Sequence, residues 1–150
     1  MFNFAKSIIT PAFNRGTQVT VKMILLCVDD DPEDIELFVD AIKVINGSYT
    51  CMIAVNGSEA LKKLAITVPD YIFLDINMPV MDGKETLERI RRDQRLQAVP
   101  VLILSTSNDS KEAELCRRLG ANEWLVKPNS FWELVRRLKT VFDRDYLGSN

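Results

Sequence analysis

The stretch Tyr71–Gly83, YIFLDINMPVMDG, carries an apolar run that stops at a carboxylate, Asp75. It continues through Asn77 and Met78-Pro79 to the turn pair Asp82-Gly83. A buried strand ending this way delivers a reactive carboxylate to the edge of a sheet; a strand closed by an ordinary polar turn residue has the same pattern. Three other runs end alike. ILLCV runs into Asp29-Asp30-Asp31, VLIL into Ser105, and WLV into Lys127. Brought together, these ends would hold carboxylates, one hydroxyl and one ammonium. Carboxylates sharing a pocket repel one another and need a cation. Mg²⁺ suits them, because it prefers oxygen ligands and commonly takes one or two carboxylates plus phosphate oxygens.

These residues need elements that place them together. From Val21 the chain alternates short apolar runs with helical patterns. Val21–Val28 reads as a first strand, and Asp31 as a cap for a helix beginning at Pro32. Ile35, Leu37, Phe38, Ala41, Ile42 and Ile45 give that helix its apolar spacing, and Asn46-Gly47 ends it. Tyr49–Val55 is a second strand, followed by a helix that Ser58 can cap. Asp70–Leu74 precedes a helix over Lys84–Asp93. Pro100–Leu104 precedes a helix capped by Asn108 or Asp109 and closed by Gly120. Ala121–Val126 precedes a last helix capped by Ser130 and running to about Phe142. Five such units predict a parallel sheet with helices on both faces. Ligands bind such sheets beyond the carboxyl ends of the strands, where the strand order reverses. The second strand, at the edge, ends in Val55-Asn56 with no charge.

Composition narrows the chemistry. At 150 residues the chain suits one domain, with 47% hydrophobic and 27% charged residues. There is no histidine, which excludes Ser-His and Cys-His machinery, His-ligated metals and a phosphohistidine on this chain. A net charge of −2 gives no overall basic footprint for nucleic acid. No apolar run approaches the roughly 18–20 residues of a membrane span. Cys27, Cys51 and Cys116 lack metal spacing, so small buried thiols in a reducing cytoplasm are expected. Residues 1–20 read as an N-terminal extension, with a weak helix over Asn3–Thr10 and no signal-peptide pattern. Translation from Met23 is an alternative start. Residues 21–143 form the expected domain, and 144–150 a polar tail.

The pieces ILLCVDDDPED, YIFLDINMPVMDG, VLILSTSND and WLVKPNSF, in that order, resemble the response regulator receiver domain of two-component signalling. The likeness covers roughly residues 21–143. It implies an α/β, flavodoxin-like, doubly wound sheet of five parallel strands in the order 2-1-3-4-5 with five helices. It implies Asp75 as phosphoacceptor, with Ser105 and Lys127 contacting the phosphoryl group. It implies Mg²⁺, or another divalent cation such as Mn²⁺, held by Asp30, Asp75 and the backbone carbonyl of Asn77, with Asp29 acting mostly through water. It also implies a cis Lys127-Pro128 bond and a switch in which Trp124 follows Ser105.

The residue reading leaves simpler roles open. Asp31 fits a helix cap better than a ligand, and Trp124 fits plain packing as well as a switch. The expected readout face is the fourth helix, fifth strand and last helix, over Lys111–Leu119, Ala121–Val126 and Phe131–Phe142. Only DRDYLGSN follows Phe142, so a stand-alone receiver is expected, signalling through a separate protein target. A histidine kinase or phosphotransfer protein would supply the phosphoryl group. No direct nucleic-acid or membrane partner is expected, and a homodimer is left open. The competing class is a metal-dependent phosphohydrolase turning over small phosphorylated molecules through Asp75. Asn77, two residues past Asp75, argues against it by supplying no general acid there.

Overall fold

A computed structural model of the protein describes residues 22–144 and 146. The expected extension and its helix over Asn3–Thr10 lie outside the described residues. Five parallel strands form one sheet: β1 (Ile24–Val28), β2 (Thr50–Ala54), β3 (Tyr71–Asp75), β4 (Val101–Ser105) and β5 (Glu123–Val126). Their order is β2-β1-β3-β4-β5, as the resemblance implied. The helices are α1 (Pro32–Ile45), α2 (Gly57–Leu64), α3 (Gly83–Arg92), α4 (Ser110–Arg118) and α5 (Phe131–Asp143).

Side chains alternate across each strand and so feed two cores. Leu26, Val28, Ile72, Leu74 and Ile103 face Ala60, Leu64, Leu87, Ile90 and Cys116 of α2, α3 and α4. Leu25, Cys27, Tyr71, Phe73, Leu102 and Leu104 face Phe38, Ala41, Ile42, Leu138 and Val141 of α1 and α5. The central strand β3 is therefore buried along its whole length, which explains why its sequence is a continuous apolar run rather than an alternation.

Several boundaries differ from the sequence reading. β3 and β4 each start and end one residue later, so Asp75 and Ser105 belong to the strands themselves. The ladder registers Asp75 against Leu104 and Ser105 against Val126, which fixes both strand-end residues by backbone pairing rather than by a loop. β5 begins at Glu123, after a turn in which Gly120 has φ +108. That left-handed conformation favours glycine. Asn56, not Ser58, caps α2, because its side chain accepts from Glu59 N at 2.8 Å while Gly57 is already helical. Asp31, Asp109 and Ser130 cap α1, α4 and α5 as expected. Beyond α5 the described part of the tail is anchored: Arg144 and the Tyr146 hydroxyl both bond to Glu123.

Candidate functional site

Asp29 directly follows β1, and its N–H donates to Ala54 O at 3.0 Å, extending the ladder by one rung. Its carboxylate is buried and accepts from Asp31 N at 3.0 Å. Asp31 turns outward to cap α1, accepting from Glu33 N at 2.9 Å. Asp30 is exposed at the mouth. Asp75 ends β3, is 7% exposed, and accepts from Asn77 N at 3.2 Å. One carboxylate oxygen from each of Asp29, Asp30 and Asp75 lies within 4.8 Å of the others. The three acids expected to share a pocket are therefore together. Asp31 is not among them.

The loop leaving Asp75 is held close to the strand. Gly83 N donates to Ile76 O at 3.1 Å. A Cβ on Gly83 would come within 2.4 Å of Asp75 O, so this close approach admits only glycine. At the loop tip Val80 has φ +73, a conformation in which a β-branched residue is strained.

Lys127 reaches into the acids from the end of β5. Its Nζ lies 2.8 Å from Asp29 Oδ2, 2.7 Å from Asp34 Oδ2 and 3.6 Å from Asp75 Oδ2. The cis Lys127-Pro128 bond implied by the resemblance is not found: no cis peptide occurs among the described residues. The lysine points inward all the same, because Lys127 N donates to Ser105 O at 2.7 Å and continues the β4–β5 ladder to the pocket. Asp34 was not singled out from sequence. As a first-turn acid of α1 it looks like a charge complementing the helix dipole.

The electrostatics follow from the crowding. Burial pushes the Asp75 carboxyl up to about 6; Lys127 pulls it down, Asp29 pushes it up, and the Asn77 N–H pulls it down. Burial also works against the Lys127 ammonium, but its hydrogen bonds to Asp29 and Asp34 outweigh that and hold its pKa above the ordinary lysine value. The donor set is carboxylate oxygen alone, which fits a hard divalent cation of the Mg²⁺ or Mn²⁺ type. The nearby Cys27 is a poor ligand, because burial and then Asp29 push its thiol up.

Ser105 is fully buried, and its Oγ accepts from Ser107 N at 3.1 Å. Ser107 O in turn accepts from Trp124 Nε1 at 3.1 Å. A short polar chain thus joins the strand-end hydroxyl to the half-buried indole on β5. Trp124 also packs against the α2–α4 core.

The response regulator receiver domain family matches residues 25–139. The chain belongs to that family. It is 36% identical over 104 residues to the probable C4-dicarboxylate response regulator DctR of Bacillus subtilis, covering 69% of this chain and 45% of the relative. The chain spans about half the length of the first curated relatives it matches. The Vibrio cholerae chemotaxis protein CheY4 superposes with a TM-score of 0.73 at 30% identity, over 81% of this chain and 99% of that one. The phosphorylated cyanobacterial phytochrome response regulator RcpA superposes with a TM-score of 0.76 at 27% identity, over 82% and 93%. Receiver domains are the signalling domains of two-component systems and interact with histidine kinases and phosphotransfer proteins. Among the described residues no helix of this receiver is long and apolar enough to cross a membrane.

Proposed function

We propose that this receiver accepts a phosphoryl group on Asp75 from a histidine kinase or phosphotransfer protein and passes the signal through a change in its surface. The observation that carries the reading is the meeting of Asp29, Asp30 and Asp75 with the ammonium of Lys127 at the carboxyl edge of the sheet. Asp29, Asp30, Asp75 and the carbonyl of Asn77 would hold a divalent cation, Mg²⁺ by preference. When bound, the cation neutralises charge on the acids and on the incoming phosphoryl oxygens.

The chain's own residues do the rest. An Asp75 carboxylate oxygen attacks phosphorus as the donor's bond to phosphorus breaks and its electron pair leaves with the donor. Lys127 pairs with a phosphoryl oxygen, and Ser105 donates its O–H to another. Ser105 is already tied to Ser107, and Ser107 to Trp124, so a shift of the hydroxyl toward phosphate has a direct route to the indole. The readout face is then α4, β5 and α5. A groove of about 300 Å³ between α4 and β5, lined by Ala113, Cys116, Ala121 and Trp124 among others, gives a protein target somewhere to bind. A second copy of the chain is a competing occupant.

We take residues 21–143 as the receiver, 1–20 as an extension and 144–150 as a tail, and we read the protein as a cytoplasmic single-domain regulator. The CheY4 match, which spans 99% of that chain, supports a receiver that stands alone. The receiver then catalyses only its own phosphorylation and dephosphorylation.

The test is intact mass after incubation with Mg²⁺ and acetyl phosphate. One phosphoryl adduct per chain is expected, abolished by Asp75→Ala, with a change in Trp124 fluorescence. No adduct at any donor concentration would refute the reading. Sustained turnover of the donor without a stable adduct would favour the hydrolase instead.

A further inference from the structure

Lys127 is shared among three carboxylates, and the one it must serve is the farthest. Asp34 lies at 2.7 Å, Asp29 at 2.8 Å and Asp75 at 3.6 Å. An ammonium has three donors. Two of them go to Asp29 and Asp34. Asp29 belongs to the acid cluster that would hold a cation, whereas Asp34 does not. Asp34 is thus the lysine's one partner that stays out of the metal and phosphoryl chemistry.

The way α1 begins explains why Asp34 is free for this contact. It is the third residue of a helix capped by Asp31. An acid there commonly reaches back to the N–H of the capping residue. Here that N–H is already taken, donating to Asp29 Oδ1 at 3.0 Å. The Asp34 carboxylate turns to Lys127 instead, across 93 residues of sequence. It is 32% exposed, while the lysine side chain is 15% exposed and Asp29 6%. Asp34 therefore holds the ammonium from the rim of the pocket.

We infer that Asp34 is a positioning residue for phosphoryl transfer: it holds Lys127 off the nucleophile, and without it the ammonium, still paired with Asp29, closes onto Asp75. An ammonium bonded to Asp75 occupies the oxygen that must attack phosphorus. The inference rests on Asp75 being the phosphoacceptor. In the step concerned, an Asp75 oxygen–phosphorus bond forms while the acetyl phosphate P–O bond breaks and acetate leaves with the electron pair. Asp34 itself touches no reacting atom.

The experiment measures single-turnover phosphorylation of the full chain by acetyl phosphate with Mg²⁺, read as intact mass against time. The isosteric Asp34→Asn and the shorter Asp34→Ala are compared over a range of donor concentrations. A limiting rate lower by about fivefold is expected in both, with the half-saturating donor concentration unchanged. Asp34→Glu, which keeps a carboxylate at the rim, recovers most of the rate. In a Lys127→Ala background, Asp34→Ala has no further effect, because there is no ammonium left to hold. An equal loss in both backgrounds would assign Asp34 a role in the helix rather than on the lysine and would overturn the inference. So would an unchanged limiting rate in Asp34→Asn. If the unsubstituted protein forms no adduct, the phosphoacceptor reading itself fails; if it does and these variants match it, only the role of Asp34 fails.

Discussion

The central strand carries a buried acid at each end, and the two live differently. Asp70, just before β3, is 5% exposed and accepts from Ile24 N at 2.8 Å, so it ties β3 to the start of β1. Asp75, at the far end, is 7% exposed and accepts one longer bond, 3.2 Å from Asn77 N, within reach of two more carboxylates. At the amino edge of the sheet, charge is spent on holding chain segments together. Arg91 there donates to Gly120 O, Leu96 O and Asn122 Oδ1 at 2.9–3.0 Å. At the carboxyl edge, like charges are crowded and one lysine is divided among them. A carboxylate bonded to a backbone donor is a fastener; carboxylates crowded against their own kind carry charge that the fold does not offset.

The sharpest way to break this contrast is to remove the cation that the carboxyl edge depends on. Lys127→Ala would leave Asp29 and Asp75 buried with no counter-charge. Deleting one partner of such a pair costs about 3–5 kcal/mol. Urea unfolding in the presence of chelator should show that loss, and Mg²⁺ should recover part of it, since the ion binds only the folded cluster. A loss below about 1 kcal/mol would mean that the acids are protonated or hydrated and that the crowding is not felt. Phosphorylated Lys127→Ala protein should also lose phosphate-dependent partner binding.

Next in size is Asp75→Asn, which keeps the shape of the side chain and removes its charge. The Asp75 carboxyl is held near 6, above the ordinary value of about 3.9. A raised folded-state pKa means the folded form prefers the proton. Its contribution to stability is fully present below about pH 4 and is lost as pH rises through about 6. Metal-free protein should therefore lose about 2–3 kcal/mol across that window from this residue, and Asp75→Asn should abolish that loss. At pH 7 with chelator the variant should be the more stable protein, although it takes up no phosphoryl group. A less stable variant would show that Asp75 is a fastener like Asp70.

The same contrast separates what could be read from sequence from what could not. The alternation of apolar runs with capped helices marked out all five units, because cap residues and buried runs act locally. Asp29, Asp30, Asp75, Ser105 and Lys127 were legible because parallel strands must end on one edge, so a charged residue at a strand end has a known destination. Asp34 was invisible: it sits on a helix, where a first-turn acid already has a sufficient local role, and its contact with Lys127 depends on how α1 lies over the sheet. The α2 cap went to Asn56 rather than Ser58 because both residue types can accept from a helix N-terminus, and only the backbone path decides between them. The Ser105–Ser107–Trp124 chain was half legible. The aromatic could be placed on β5, but a bond to a loop carbonyl leaves no mark in composition.

The smallest effect is the most diagnostic, because it repeats one substitution at the other end of the same strand. Asp70→Asn retains an oxygen that can accept from Ile24 N and removes the charge that strengthens the bond. A charged acceptor is worth about 1.5–3 kcal/mol and a neutral one about 0.5–1.5, so a destabilisation of about 1 kcal/mol is expected. Phosphorylation should be untouched, since the residue lies five positions and a full strand length from the pocket. One substitution, Asp to Asn, should thus lower stability at the amino end of β3 and raise it at the carboxyl end. Paired urea titrations at pH 7 in chelator read both signs directly. If both variants lose stability, the carboxyl edge is not strained by its charges, and binding of a cation there relieves nothing. If Asp70→Asn slows phosphorylation, the two ends of β3 are coupled, and the division between a fastened edge and a reactive edge does not hold.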